Sequence, residues 1–294
     1  MEKAVYHLPG LFEFYDFYRK FLPIYREKTE YFYDWCQIGS LYGAPADCLW
    51  AGGRVSTGNA DPRQVLAQTE EYGLSARLTF SNSLLRPEHL KDPKCNRLCA
   101  LFGAELGNGV IVHSELLLDY LEEKYPNFYF VSSTTKVLTD FEDLAAETER
   151  PDFRYVVPDF QLNKAFDRLV GLKEKRKVEF LCNECCWPGC RERKACYENV
   201  SRKNLGERCP DHICAAPEGE KGYRFSAAMK NPAFIGIRDI REIYLPMGFS
   251  QFKIEGRGLG SAMLLEFILY YLTKPEYQLP LREEMYLDSM LDLF

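Results

Sequence analysis

No HExxH segment occurs in the chain, and no Ser or Cys stands in a nucleophile elbow, so neither zinc-peptidase nor α/β-hydrolase chemistry has direct support. Full phosphate-loop spacing is also missing. GGR at Gly52 and GRGLG at Gly256 are glycine-rich but incomplete, which leaves nucleotide binding with a weak signal. No apolar run approaches the roughly 20 residues of a membrane span; the most apolar stretch, Ala262 to Leu272 (AMLLEFILYYL), contains Glu266 and reads as a core helix. Charges interrupt every apolar run of MEKAVYHLPGLFEFYDFYRK, so no secretory h-region is present and a cytoplasmic chain is expected, its cysteines reduced or metal-bound. A basic excess is lacking as well. The net charge is −6, which argues against a surface that coats nucleic acid, although ten Lys/Arg face six Asp/Glu between Lys173 and Arg208. That local excess reads first as a solvated rim and second as a face for an anionic partner.

What is present is an ordinary globular composition, with 46% hydrophobic, 14% aromatic and 27% charged residues, in a 294-residue chain long enough for one large barrel. The first 47 residues are aromatic and helical in pattern; Phe14, Phe17, Tyr18, Phe21 and Tyr25 fall near one face, as for a helical cap or a segment that docks a protein partner. From Cys48 onward short apolar runs alternate with helical stretches. The runs predict eight strands, at 48–52, 76–81, 109–113, 127–132, 152–157, 178–182, 233–237 and 250–255. Strict alternation implies a parallel sheet, and eight repeats imply an α/β fold of the (β/α)8 TIM type over 48–294; a doubly wound open sheet is the alternative. In a barrel the chemistry sits where strands end and βα loops begin.

The longest such loop, placed sixth by this count, holds seven of the eleven cysteines between Cys182 and Cys214. Cys182 and Cys185 form CxxC, Cys186 and Cys190 form CxxxC, Cys209 and Cys214 enclose four residues, and Cys196 lies between the groups. Spacings of two to four let one turn of chain offer two sulfurs to one centre, which suits tetrahedral zinc and iron-sulfur clusters alike. A redox dithiol or inert buried thiols are the other readings. Cys36, Cys48, Cys95 and Cys99, far from this loop in sequence, are expected to take no part.

The segments NECCWPGCRER, AFIGIRDIREIYLPMGFSQFKIEGR and LYGAPADCLWAGGR resemble the peptidase U32-like family of barrels, over most of the chain from about Leu41. FKIEGR is similar to that family's closing signature. The resemblance implies a four-cysteine [4Fe-4S] cluster, with zinc as the alternative, and oxygen-independent hydroxylation or a related modification of a small or RNA-borne substrate; a few members are collagenase-like. The cluster carries over to Cys186, Cys190, Cys209 and Cys214, with Cys185 and Cys196 as substitutes. Related barrels have His where this chain has Cys196, and the long cysteine pattern of the collagenase-like members is absent. A zinc-stapled binding protein and a U32-type peptidase are the alternative functions.

Other candidates lie at strand ends. Lys253, Glu255 and Arg257 alternate along the last strand, so a buried Lys and Glu there must pair with each other or bind a ligand. Arg257 and Arg54 can jointly grip a carboxylate or phosphate. His113 can serve as a general base or be a satisfied core residue, and His212 can replace a thiolate.

Overall fold

The computed structural model describes residues 2–53, 58–184, 186–216 and 222–291. Strands β1 (Ala4–Pro9), β2 (Cys36–Gly43), β3 (Ser75–Phe80), β4 (Gly109–Val112), β5 (Tyr129–Ser132), β6 (Phe153–Val156), β7 (Glu179–Leu181) and β8 (Gln251–Lys253) are all parallel, in the order β6-β5-β4-β3-β2-β1-β8-β7. A parallel bridge between Val156 and Val178 draws the two end strands together, so the sheet is a nearly closed TIM-type barrel. Around it run α1 (Tyr15–Glu27), α2 (Pro62–Glu71), α3 (Pro93–Phe102), α4 (Glu115–Lys124), α5 (Phe141–Glu149) and the short α6 (Phe166–Leu169). Helix α7 (Arg193–Asn204) and α8 (Phe225–Ala228) follow β7. A composite helix of α9 (Ile237–Asp239), a π-helical turn and α10 (Leu245–Met247) leads into β8, and α11 (Ser261–Tyr271) and α12 (Gln278–Leu291) end the chain. No helix among the described residues is long and apolar enough to cross a membrane.

Six of the expected strands are present, and two are not. Residues 48–52 form turns and 233–237 run from irregular backbone into α9; the missing pair, β1 and β2, lies inside the first 47 residues, which were expected to be a helical cap. The thiol-rich loop accordingly follows the seventh strand and not the sixth. An apolar run reports burial, not extension: Trp50 and Ile235 are fully buried without belonging to a strand. Conversely β1 and β2 carry His7 and Ser40 into the barrel, which breaks the apolar run that marks a parallel strand. Between them the register shifts at Tyr6/His7, and Gly39 is the extra residue of the bulge. A Cβ there would stand 2.4 Å from Val5 Cγ1, so any side chain would force Val5 to move.

The aromatic stripe of α1 exists as expected and packs on this chain's own core. Tyr18 and Phe21 are fully buried, and Phe21 meets Phe32 edge-on at 6.0 Å. Asp61, Asp92, Ser114 and Asp140 cap α2, α3, α4 and α5 through side-chain acceptors, which fixes where those helices start.

The barrel interior is layered. Towards the C-terminal ends of the strands Tyr42, Ile111, Val131, Val157 and Leu181 form an apolar layer. Beneath it lies a buried polar layer. Arg77 donates to Glu179 at 2.5 Å and to the Tyr129 hydroxyl at 2.8 Å, and Lys253 donates to the other Glu179 oxygen at 3.2 Å. His7 Nε2 donates to Gln251 Oε1 at 3.1 Å, while Ser40 donates to Nδ1 at 2.8 Å. Burial, then the neighbouring Arg77 charge, pushes the His7 pKa down to about 3. Burial likewise lowers His113 to about 4. Unfolded histidines take up a proton below about 6.5, whereas these two stay neutral until far lower pH. Their contribution to stability is therefore complete above about pH 6.5 and is lost as the pH falls towards 4 and then 3, by about 1.4 kcal/mol per pH unit for each. Urea midpoints should fall between pH 7 and pH 5, and H7Q should flatten the decline; identical midpoints across that range would refute the assignment.

Candidate functional site at the barrel mouth

The C-terminal ends of the strands surround a cavity of about 70 Å³. Its floor is Tyr42, Ile111 and Leu181 from the apolar layer, together with Lys253. Its wall is a ring of hydroxyls, Thr79 near the end of β3, Ser81 just after it, and Ser133, Thr134 and Thr135 after β5. Glu255 and Arg257 follow β8, and Gly53 lies on the β2–α2 connection. Thr79 Oγ1 and Ser81 Oγ are buried with no hydrogen-bond partner among the described residues, so they are available to whatever enters.

The charged residues are positioned by named contacts. Lys253 Nζ lies 3.5 Å from the centre of the Tyr42 ring, and burial lowers its pKa to about 8, so a fraction of neutral amine is present near neutral pH. Arg257 Nε donates to Glu13 at 3.3 Å and Nη2 to the Ala44 carbonyl at 3.4 Å. Its Nη1 faces Gly53, where a Cβ would approach to 3.7 Å. The backbone N–H of Glu255 donates to Asn183 Oδ1 at 2.8 Å, and Asn183 Nδ2 returns a bond to the Glu255 carbonyl at 3.0 Å, which locks β8 to the loop after β7. Lys253 and Glu255 thus both line one mouth, and Lys253 pairs with Glu179 at 3.2 Å, a partner that the sequence did not single out.

His113 stands one side chain back from the cavity, its Nδ1 2.8 Å from Thr135 Oγ1. Neutral imidazole beside a cavity hydroxyl can accept its proton. Arg54 lies outside the described residues, as does Cys185.

The thiol-rich segment closes one side of the mouth, because Glu184 and Tyr197 both line the cavity. Arg193, the first residue of α7 and 2% exposed, holds it there. Its guanidinium lies 2.5 Å from Glu184, 3.4 Å from Asp159, 2.9 Å from the Tyr197 hydroxyl and 3.3 Å from Thr134 Oγ1. Burial raises the Asp159 pKa in spite of that cation. Glu184 also accepts from the Cys186 backbone N–H at 3.0 Å. Arg193 was not singled out from sequence, where it was one basic residue among ten, and neither Asp159 nor Glu184 was assigned a role.

Burial sorts the cysteines. Cys182 is fully buried, its thiol donates to the Phe180 carbonyl at 3.6 Å, and burial raises its pKa, so it is a packing residue. Cys186, Cys190, Cys196 and Cys209 are partly exposed and Cys214 is exposed. Cys209 Sγ accepts from Asn199 of α7 at 3.6 Å, and His212 lies 3.5 Å from Glu192. The soft donor set suits zinc or iron. Among the described residues no three His, Cys, Asp or Glu side chains are gathered closely enough to hold one ion.

No family model matches the chain, and no curated protein matches it in sequence. Among solved structures it superposes on the U32 peptidase Mk0906 with a TM-score of 0.56, covering 86% of this chain and 92% of that one at 14% identity. The fold is U32-like. At that identity the likeness is one of architecture, and it places neither a cluster nor a peptidase site in this chain.

Proposed function

We propose that the chain is a U32-like barrel enzyme that modifies a small molecule, or one group of an RNA-borne substrate, at the barrel mouth, using a thiolate-held [4Fe-4S] cluster on the segment after β7. The observation that supports this reading is the position of that segment: it contributes Glu184 and Tyr197 to the cavity lining and carries the partly exposed thiols on the same stretch of chain. Cys186, Cys190, Cys209 and Cys214 are the proposed ligands, with Cys185 and Cys196 as substitutes. Such a cluster would supply electron transfer. Arg257, with Arg54, would grip an acidic group of the substrate, the hydroxyls of Thr79 and Ser81 would orient it, and Glu255 or Lys253 would hold or release a proton. A cavity of about 70 Å³ admits a group of a few heavy atoms, which supports modification of a small group over cleavage of an extended peptide.

Anaerobic purification followed by iron, sulfide and zinc analysis tests this. The expected result is a brown protein containing iron and sulfide, bleached by Cys190→Ser and unaffected by Cys99→Ser. Colourless protein with stoichiometric zinc would replace the reading with a zinc-stapled binding protein, and colourless metal-free protein that cleaves peptides would replace it with a peptidase.

A further inference from the structure

Two other thiols, remote in sequence from this segment, lie in contact. Cys48, in the β2–α2 connection, and Cys95, in the first turn of α3, are both buried with their sulfurs 3.3 Å apart. Each is held from its own side. Asp92 caps α3 by accepting the Cys95 N–H at 2.7 Å. Lys94 donates to the Ala46 carbonyl at 2.6 Å, and Trp50 is tied through its indole N–H to the His89 carbonyl at 2.8 Å and through its carbonyl to the Asn82 N–H at 2.9 Å. The Cys48 thiol is acidified by the Cys95 S–H first, then by the backbone N–H groups of Trp50 and Ala51 and by Lys94, while Cys95 is shifted up as the proton-bearing partner. Two sulfurs are thus already in contact, held from opposite sides by fixed backbone, so a short movement joins them.

We infer that Cys48 and Cys95 are a redox couple that closes to an intramolecular disulfide on exposure to hydrogen peroxide and staples the β2–α2 connection to α3. The Cys48 thiolate attacks one peroxide oxygen, the O–O bond breaks and, with a proton, water leaves, giving a sulfenic acid. Cys95 then attacks that sulfur, its proton leaves with the hydroxyl as a second water, and the S–S bond forms. Two thiols and one peroxide become one disulfide and two waters. Closing from 3.3 Å to bonding distance takes a movement of about 1 Å. The staple acts on the connection that brings Gly53 to the cavity, where a Cβ on Gly52 would already lie 2.1 Å from the Ser81 carbonyl, so it holds one wall of the mouth in place. This inference does not depend on the proposed cluster.

The full-length protein, reduced and then freed of reductant, is treated with graded hydrogen peroxide, alkylated after unfolding, and mapped by fragment-resolved peptide mass spectrometry without reduction. A Cys48–Cys95 cross-link is expected, two hydrogens lighter than the dithiol, with Cys99 recovered as free thiol and the oxidised protein melting higher than the reduced one. Cys95→Ser should abolish both the cross-link and the redox-dependent melting shift and leave Cys48 as sulfenic acid. Recovery of both thiols unmodified at peroxide doses that oxidise the exposed Cys214, or pairing of Cys48 with another cysteine, would overturn the inference. The wild-type cross-link decides the matter even if the variant fails to fold.

Discussion

Glu179→Ala is expected to lower the free energy of unfolding by about 3–5 kcal/mol. Glu179 is fully buried and is the shared partner of Arg77 at 2.5 Å and Lys253 at 3.2 Å, with His7 at 3.5 Å. Among these groups His7 is neutral, so two cations rest on one carboxylate, and the flanking aromatic rings of Tyr155 and Tyr42 give only a partial substitute for charge. Removing one partner of a buried ionic set costs about 3–5 kcal/mol, because what remains is an uncompensated charge in an apolar surround. That is a large share of the roughly 5–15 kcal/mol that separates folded from unfolded chains. Urea unfolding followed by circular dichroism measures it. E179Q should be nearly as damaging, whereas the triple variant R77M/E179M/K253M should regain much of the loss, since no charge is then stranded. A Glu179→Ala protein with an unchanged urea midpoint would show that the barrel interior is hydrated well enough to dispense with the network.

Arg193→Ala should release the thiol-rich segment while the barrel stays folded. The guanidinium is the hub between Glu184 and Tyr197 of the segment and Asp159 and Thr134 of the barrel, and it stacks 4.8 Å from the Phe160 ring. Its loss leaves two carboxylates without their cation, a local cost again of about 3–5 kcal/mol. With about 1.4 kcal/mol per factor of ten, protease cleavage between residues 186 and 216 should accelerate more than about 100-fold, with little change in the far-UV spectrum. R193K should not rescue it, because an ammonium cannot make the same set of planar contacts. If cleavage stays slow, some contact other than Arg193 anchors the segment beside the cavity.

Both experiments concern residues that the sequence shows poorly. Glu179 and Arg77 sit in strands that read as apolar runs, VEFLC and ARLTFS, and a single charge there says nothing about a partner 102 positions away. The same polar layer explains the two misplaced strands: His7 and Ser40 disguise β1 and β2, whereas Trp50 and Ile235 are buried in turns and loops and mimic strands. Alternation alone could not separate the cases, since it records which side chains leave water and not which backbone is extended.

The amino-acid order by itself determined the repeat of strand and helix, the helix starts set by Asp and Ser caps, and the concentration of thiols in one loop after a strand, because these depend on neighbours a few residues apart. Closure of the sheet through Val156 and Val178, the buried Glu179 network, the docking of Arg193 and the contact of Cys48 with Cys95 were decided only by the tertiary structure. Each depends on chain segments far apart in sequence being brought within about 4 Å, and both the worth of a charge and the reactivity of a thiol follow from that burial and not from the residue type.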